Sequence, residues 1–319
     1  MQEEPLVSVV TPFYNSADYL AEAIESTLAQ SYANFELLLV NNKSTDASRD
    51  IASDYARRDS RIKCFDNSAF LPQLENYNGA LSRIDARSRY VKLVQADDAI
   101  LPDCLRSMVA VAERAPEIGL VSAYYMYGTD AAGAGVPRDV WRLSGREVCR
   151  RMLLTKAFLV GSPSVVMYRA DLVREQKEFF RTDRYHADTD AAYRLLLRSD
   201  FGFVHQVLSF VRSDNDGITP KQRAFNPGPL DYLIVIERYG REVLSESEFR
   251  ELSTREWDYY WGFLGMSLLR KRGPEFWAYH RKGLATIGVE PNMQRLIGGA
   301  LRKVAHTALG PFEHLKRRR

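Results

Sequence analysis

Leu6-Val7-Ser8-Val9-Val10 runs directly into Thr11-Pro12-Phe13-Tyr14-Asn15, and this pairing of a short apolar run with a polar stop sets the reading of the first half of the chain. A β-branched run of this kind suits a strand covered on both faces, as in a parallel sheet. The device then repeats. Leu20, Ala23, Ile24, Thr27 and Leu28 recur at helical spacing after Ser16, a candidate cap. Residues 35–40 form a second apolar strand, halted by Asn41-Asn42, and Thr45 or Asp46 opens a helix through Ile51 and Tyr55. Residues 62–65 read as a third strand, 74–84 as a helix, and 90–94 as a fourth strand ending at Gln95-Ala96-Asp97-Asp98. Pro102 precedes a helix with Leu105, Met108, Val109 and Val111, and residues 120–127 add a strand. Alternation of strand and helix calls for crossover connections and parallel pairing. Ligands of such sheets bind beyond the carboxyl ends of the strands. Residues 11–15, 41–46 and 95–98 all fall there.

The second half is less regular. Residues 130–138, with Gly133, Gly135 and Pro137, read as a loop, and Ser144-Gly145-Arg146-Glu147 has the spacing of a capping box. Gly161-Ser162-Pro163-Ser164 is a turn before the apolar residues 165–168. Residues 188–197 read as a helix and 201–211 as a strand. Beyond Pro229 the pattern is helical, with a break at Gly273-Pro274.

Bulk properties narrow the class. At 319 residues, 45% hydrophobic and 27% charged, the chain has the composition of a globular protein with a sizeable core. No stretch approaches the roughly 18 uninterrupted apolar residues of a membrane span. The acidic start Met1-Gln2-Glu3-Glu4-Pro5 lacks the basic region of a secretory signal. Cys64, Cys104 and Cys149 have neither metal nor disulfide spacing, so reduced thiols in a cytoplasmic protein are expected. The net charge of +3 is unevenly divided: from Arg295 onward seven Lys or Arg face one acid, Glu313, so the preceding 294 residues carry −3. In that tail Ile297, Leu301, Val304, Ala308, Phe312 and Leu315 keep an apolar stripe beside Arg302, Lys303 and Lys316-Arg317-Arg318-Arg319. Such a helix suits peripheral contact with an anionic membrane, and equally packing on the protein itself. Four terminal charges without a binding motif do not indicate nucleic acid.

Asp97 and Asp98 need a physical account. Adjacent carboxylates at the end of a buried strand repel each other. A divalent cation relieves this, and Mg²⁺ takes one or two carboxylates together with phosphate oxygens. The alternative is a plain acidic turn before the next helix, but the position on the ligand edge weighs against it. Residues 11–15 lack the glycines of a dinucleotide fingerprint, which removes the main support for a Rossmann dehydrogenase.

Taken in order, three segments resemble glycosyltransferase family 2: Val7-Ser8-Val9-Val10-Thr11-Pro12-Phe13-Tyr14-Asn15, then Phe35-Glu36-Leu37-Leu38-Leu39-Val40-Asn41-Asn42-Lys43-Ser44-Thr45-Asp46, then Gln95-Ala96-Asp97-Asp98. The likeness is strong over residues 5–125, weaker to 216 and absent beyond. It implies a GT-A fold: α/β, with a doubly wound, mostly parallel central sheet flanked by helices. Residues 1–125 would be the nucleotide-sugar half and 126–228 the acceptor half, followed by a mainly helical extension, 229–319, with the basic tail. It implies inverting transfer from a nucleotide-sugar to a glycan or lipid-linked acceptor hydroxyl, in surface polysaccharide biosynthesis, with Mn²⁺ or Mg²⁺ as cofactor. The expected place is the cytoplasm, at most peripheral at the inner face of the membrane.

Carried over residue by residue, Thr11, Tyr14 and Asn15 border the nucleotide. Asn41 stands where the family usually has an Asp that hydrogen-bonds the base. An amide can still match the N–H and carbonyls of uracil or thymine, so UDP- and dTDP-sugars are favoured. Lys63 lies near where some members set a basic residue against the base. Gln95 replaces the first acid of the common Asp-x-Asp-Asp, leaving Asp97 for ribose or metal and Asp98 as the better metal ligand. In His186-Ala187-Asp188-Thr189-Asp190-Ala191-Ala192-Tyr193-Arg194, alignment on Arg194 makes Asp188 the catalytic base and Asp190 its neighbour. The competing reading makes Asp188 an N-cap and Asp190 a favourable charge in the first turn. Arg212 is the expected diphosphate partner, and Asp214 replaces a usual His. His186 and His205 are expected to be ordinary polar residues. Asn41, Gln95 and Asp214 together leave room for a catalytically silent sugar-nucleotide-binding or scaffold subunit. A nucleotidyltransferase of the same fold would need a glycine-rich basic loop that residues 11–15 do not supply.

Overall fold

Residues 4–213 and 224–303 are described by a computed structural model. In it β1 (Val7–Phe13), α1 (Leu20–Leu28), β2 (Phe35–Asn41), α2 (Ser48–Arg58), β3 (Ile62–Asp66), α3 (Gln73–Leu81) and β4 (Tyr90–Leu93) alternate as the periodicity predicts. The four strands pair in parallel in the order β3-β2-β1-β4. Every residue of β1, β2 and β4 is buried, so these segments carry no polar alternation. The register sets Phe13 level with Asn41 and Asn41 level with Asp66, and the carboxyl ends of three strands share one edge.

The chain continues through β5 (Ala99–Ile100), α4 (Cys104–Ala112), β6 (Ile118–Tyr127), β7 (Asp130–Ala132), β8 (Arg142–Leu143), α5 (Gly145–Thr155), β9 (Met167–Arg169), α6 (Ala170–Arg174), α7 (Ala187–Leu196) and β10 (Asp200–Val211). β6 and β10 run parallel, and β9 enters between β4 and β6, antiparallel to both. It joins the two parallel groups into one sheet, with short antiparallel additions from β5, β7 and β8. Phe13, Leu37, Leu39, Leu105, Met108 and Ile118 belong to one buried core on this sheet.

By its contacts the chain divides into two compact units, Met1–Thr182 with Ala187–Asn215, and Asp183–His186 with Asp216–Arg319. The first holds the sheet. The second holds α8 (Gly228–Val243), α9 (Glu246–Leu269) and α10 (Pro274–Ala285), with residues 293–303 also helical, around Leu230, Leu233, Tyr260, Leu264, Phe276 and Leu284. No described helix is long and apolar enough to cross a membrane.

Three local expectations need correction. Ser144 stands at the N-cap of α5 but its side chain makes no cap bond, and the Glu147 carboxylate binds Arg151 at 2.6 Å rather than reaching back to the cap. A complete capping box occurs instead at Ser245, whose hydroxyl accepts the Glu248 N–H while Glu248 accepts the Ser245 N–H. Ser16 turns its hydroxyl back to the Tyr14 carbonyl, and Tyr19 takes the N-cap position of α1. Part of the expected loop 130–138 is β7, paired on β6. Asp214 and the tail from Val304, with Ala308, Phe312, Leu315 and Lys316-Arg317-Arg318-Arg319, lie outside the described residues.

Candidate active site

Asp98 is 4% exposed. Its Oδ1 accepts the Arg212 backbone N–H at 3.0 Å, while Oδ2, equally buried, has no hydrogen-bond partner. A carboxylate oxygen left so is costly, and a cation is the ligand that suits it. Burial, and then the charge of Asp97, push the Asp98 carboxyl up to about 7, against the pull of the Ser164 hydroxyl, the Arg212 amide and the Lys92 charge. Among the described residues no group of three or more His, Cys, Asp or Glu gathers as a metal cage. The residues at hand are two adjacent carboxylates, a donor set that suits a hard cation completed by ligand oxygens.

The turn that carries these acids is tightly bonded. The Asp98 N–H donates to the Gln95 carbonyl at 3.0 Å, and the Gln95 N–H donates to Ser164 Oγ at 3.0 Å. Gln95, standing where the family has an acid, turns its amide to the Tyr77 hydroxyl at 3.2 Å. Burial, then the charge of Asp97, hold that phenol well above its ordinary range. Arg212 is locked against the same turn. Its Nε donates to the Asp97 carbonyl (3.0 Å), its Nη2 to Glu22 (2.7 Å), and its guanidinium lies 4.5 Å over the Tyr19 ring.

The other two loops meet at Asn15. This residue adopts a left-handed φ of 47°, which Asn tolerates better than most side chains. Its Oδ1 accepts the Thr45 N–H at 2.8 Å and its own N–H donates to Ser44 Oγ, so it stitches the two strand ends together. Tyr14 projects beyond β1, 44% exposed, edge-on to the similarly exposed Phe70. Thr11 stays inside β1, buried.

Asn41 is buried, and its amide is turned inward: Nδ2 donates to Asp66 Oδ1 at 2.8 Å and Oδ1 accepts the Ser44 N–H at 2.9 Å. Asp66 is half-exposed, at the same level on the next strand, and paired with Arg49. The Arg49 and Asn41 contacts hold its carboxyl below the usual range. Restoring the family's residue with Asn41→Asp is therefore expected to destabilise the fold by about 1–3 kcal/mol, since a donor becomes a second carboxylate against Asp66. Urea denaturation checks this, and adding Asp66→Asn should recover the loss. A single variant as stable as the parent would refute it.

The structure does not bring Lys63 to this edge. Lys63 pairs with Leu38 in register, three residues back along β3, and its Nζ binds Glu36 at 2.7 Å. Glu36 also accepts the Asp85 N–H at 2.9 Å, well back from the carboxyl edge. Asp188 and Asp190 part company. Asp188 lies in the first turn of α7, partly exposed, its Oδ1 accepting the Thr189 N–H at 2.8 Å. Asp190 is fully buried between Arg194 at 2.9 Å and Arg181 at 3.5 Å. Both ring nitrogens of His205 are engaged, by Tyr124 and the Val140 carbonyl, and His186 binds Asp231 at 2.6 Å. Lys92, Tyr77 and Glu22 were not anticipated. A lysine inside a strand that reads as buried on both faces was the visible signal for the first.

A sheet of this order, with paired carboxylates just past β4, is the GT-A arrangement. A sequence model described as Glycosyl transferase family 2 matches residues 8–176, more than half of the chain, and the chain belongs to that family. Among relatives, an uncharacterized glycosyltransferase of Haemophilus influenzae is 26% identical over 59% of this chain and 59% of its own length. The putative glycosyltransferase EpsE of Bacillus subtilis is 29% identical over 78% of this chain and 87% of its own. The putative teichuronic acid biosynthesis glycosyltransferase TuaG, also of B. subtilis, is 37% identical over 33% of this chain and 41% of its own. The chain thus spans less than two thirds of the Haemophilus protein and of TuaG. Two solved structures share the fold at 18% identity. TarS of S. aureus in complex with UDP-GlcNAc gives a TM-score of 0.58 over 88% of this chain and 80% of that one. The mannosyltransferase PcManGT of Pyrobaculum calidifontis, with GDP-Man and Mn²⁺, gives 0.57 over 97% and 81%.

Proposed function

We propose that this protein transfers a sugar, with inversion, from a UDP- or dTDP-linked donor to a hydroxyl of a glycan or lipid-linked acceptor during assembly of a surface polysaccharide. The observation that carries the reading is the buried Asp98 carboxylate with an unpartnered oxygen, beside Asp97 and Arg212 at the carboxyl edge of the sheet. Asp98, with Asp97, would hold Mn²⁺ or Mg²⁺, whose charge offsets the one that builds on the departing diphosphate. Arg212 adds a fixed guanidinium on the same side and exchanges Glu22 for a phosphate oxygen. Tyr14 and Phe70 flank the base, and Asn15 and Asn41 shape the loop beneath it. Asp188 takes the proton of the attacking hydroxyl, a role for which Asp190, neutralised by two arginines, is unsuited. TuaG's part in teichuronic acid biosynthesis and the nucleotide sugars in the two solved neighbours support this assignment.

Thermal melts with UDP-, dTDP- and GDP-sugars, each with and without Mn²⁺, test it. A ligand that binds the native state at about a hundred times its Kd stabilises by about 2.7 kcal/mol. The matching donor should raise the Tm in the presence of metal and lose most of that effect in EDTA. A panel in which no nucleotide sugar acts, or in which EDTA changes nothing, would overturn the proposal. Tight binding without hydrolysis or transfer would point to the silent subunit instead.

A further inference from the structure

Lys92 lies in β4 and is completely buried. Its Nζ donates to the Ser164 carbonyl and, at 3.5 Å, to that of Leu93. Neither is an anion, and a buried ammonium is unfavourable unless a charge answers it. Among the described residues no carboxylate hydrogen-bonds Nζ, and the ionisable groups it faces are Cys104 and Asp98.

Ser164 connects the lysine to the acidic turn. Its hydroxyl accepts the Gln95 N–H, and the Gln95 carbonyl accepts the Asp98 N–H. Its carbonyl is shared, because Ser209 Oγ also donates to it at 2.9 Å. Joining β4 to the turn at residues 161–164 therefore does not require an ammonium, since a neutral hydroxyl already serves the same carbonyl. Ser8, Lys92, Asp98, Ser164 and Ser209 are all among the buried polar residues, but Lys92 alone of these five is cationic.

We infer that Lys92 is a positioning residue for the donor site: through Ser164 it fixes the turn Gln95–Asp98, and it sets a buried positive charge beside that turn. With Gln95 in place of an acid and Lys92 joined to the turn through Ser164, the cluster carries two carboxylates and one ammonium. Such a cluster attracts a bare divalent cation weakly and accepts the cation together with a diphosphate. The inference rests on the donor-binding reading above.

Calorimetric titration of the matching nucleotide sugar, with Mn²⁺ and in EDTA, tests it on the full chain. Lys92→Met keeps the volume and removes a buried charge, so its Tm should equal or exceed that of the parent. Its Kd for donor with Mn²⁺ should rise about 10- to 100-fold, the usual cost of losing a partner behind a ligand. In EDTA parent and variant should bind the nucleotide equally weakly. Ser209→Ala, which removes the other bond to Ser164, should stay within about twofold of the parent. Should Lys92→Met not fold, Lys92→Gln keeps a donor for the carbonyl without the charge and should show the same metal-dependent loss. Parent-like donor affinity in a folded Lys92 variant, an equal loss in Ser209→Ala, or failure of both Lys92 variants to fold would assign Lys92 to the fold alone and overturn the inference. If the parent itself shows no metal-dependent donor binding, the proposed function falls and this inference with it.

Discussion

Asp98→Asn is expected to abolish transfer while raising the Tm of the ligand-free protein by several degrees at pH 8. The two effects share one cause. Burial, then Asp97, raise the folded-state carboxyl from 3.8 to about 7. A group whose folded pKa is raised favours the folded state fully below its unfolded pKa and loses that contribution as pH climbs through the folded value. The window here runs from about pH 4 to about pH 7. At 1.36 kcal/mol for each tenfold, the rise from 3.8 to about 7 sets an upper bound of about 4 kcal/mol. Asn stays neutral throughout, so its advantage over the parent should be small at pH 4.5 and greatest at pH 8. Donor with Mn²⁺ should reverse the order by stabilising the parent alone. Loss of a metal ligand removes several kcal/mol of charge stabilisation, about a thousandfold or more in rate. Melting curves between pH 4.5 and 8, with a transfer assay, check both. A variant that melts below the parent at pH 8 would mean that Asp98 is satisfied in the folded state by a partner of its own.

Asp188→Asn is expected to bind donor as the parent does and to lose about 100- to 10,000-fold in turnover, the range for removal of a general base. Asp190→Asn should fail differently. Arg194 and Arg181 both face the Asp190 carboxylate, which is fully buried, and Arg194 also holds Gln176 and the Phe179 carbonyl. Removing that carboxylate leaves the Arg194 guanidinium, 14% exposed, without its ion-pair partner, a loss of at most about 3–5 kcal/mol. Donor titration, single-turnover rates and denaturation separate the two outcomes. A stable but inactive Asp190→Asn beside an active Asp188→Asn would transfer the role to Asp190.

The first half of the fold was legible because its signals are local. β1, β2 and β4 are buried on both faces and so appear as unbroken apolar runs, and the crossovers between them leave little choice but parallel order. β9 was hidden. Three residues, Met167–Arg169, are too few to show a period, and their antiparallel entry between β4 and β6 depends on strands far away in sequence. Ser144 and Ser245 show the same limit on a smaller scale. Both have Glu three residues on, and only the second forms the box, while at the first Glu147 binds Arg151. The resemblance set Lys63 near the base, but its side chain binds Glu36, back along the sheet.

By itself the sequence determined the buried strands, the crossover helices and the location of Asp97 and Asp98 beyond a strand end, since apolar periodicity and connection rules act over a few residues at a time. Only the tertiary structure decided what each polar side chain holds. Asn41 meets Asp66 across 25 residues, Lys92 meets Ser164 across 72, and Asp98 meets Arg212 across 114. Such pairings come from how strands stack side by side in the sheet, and a short-range pattern carries no record of that.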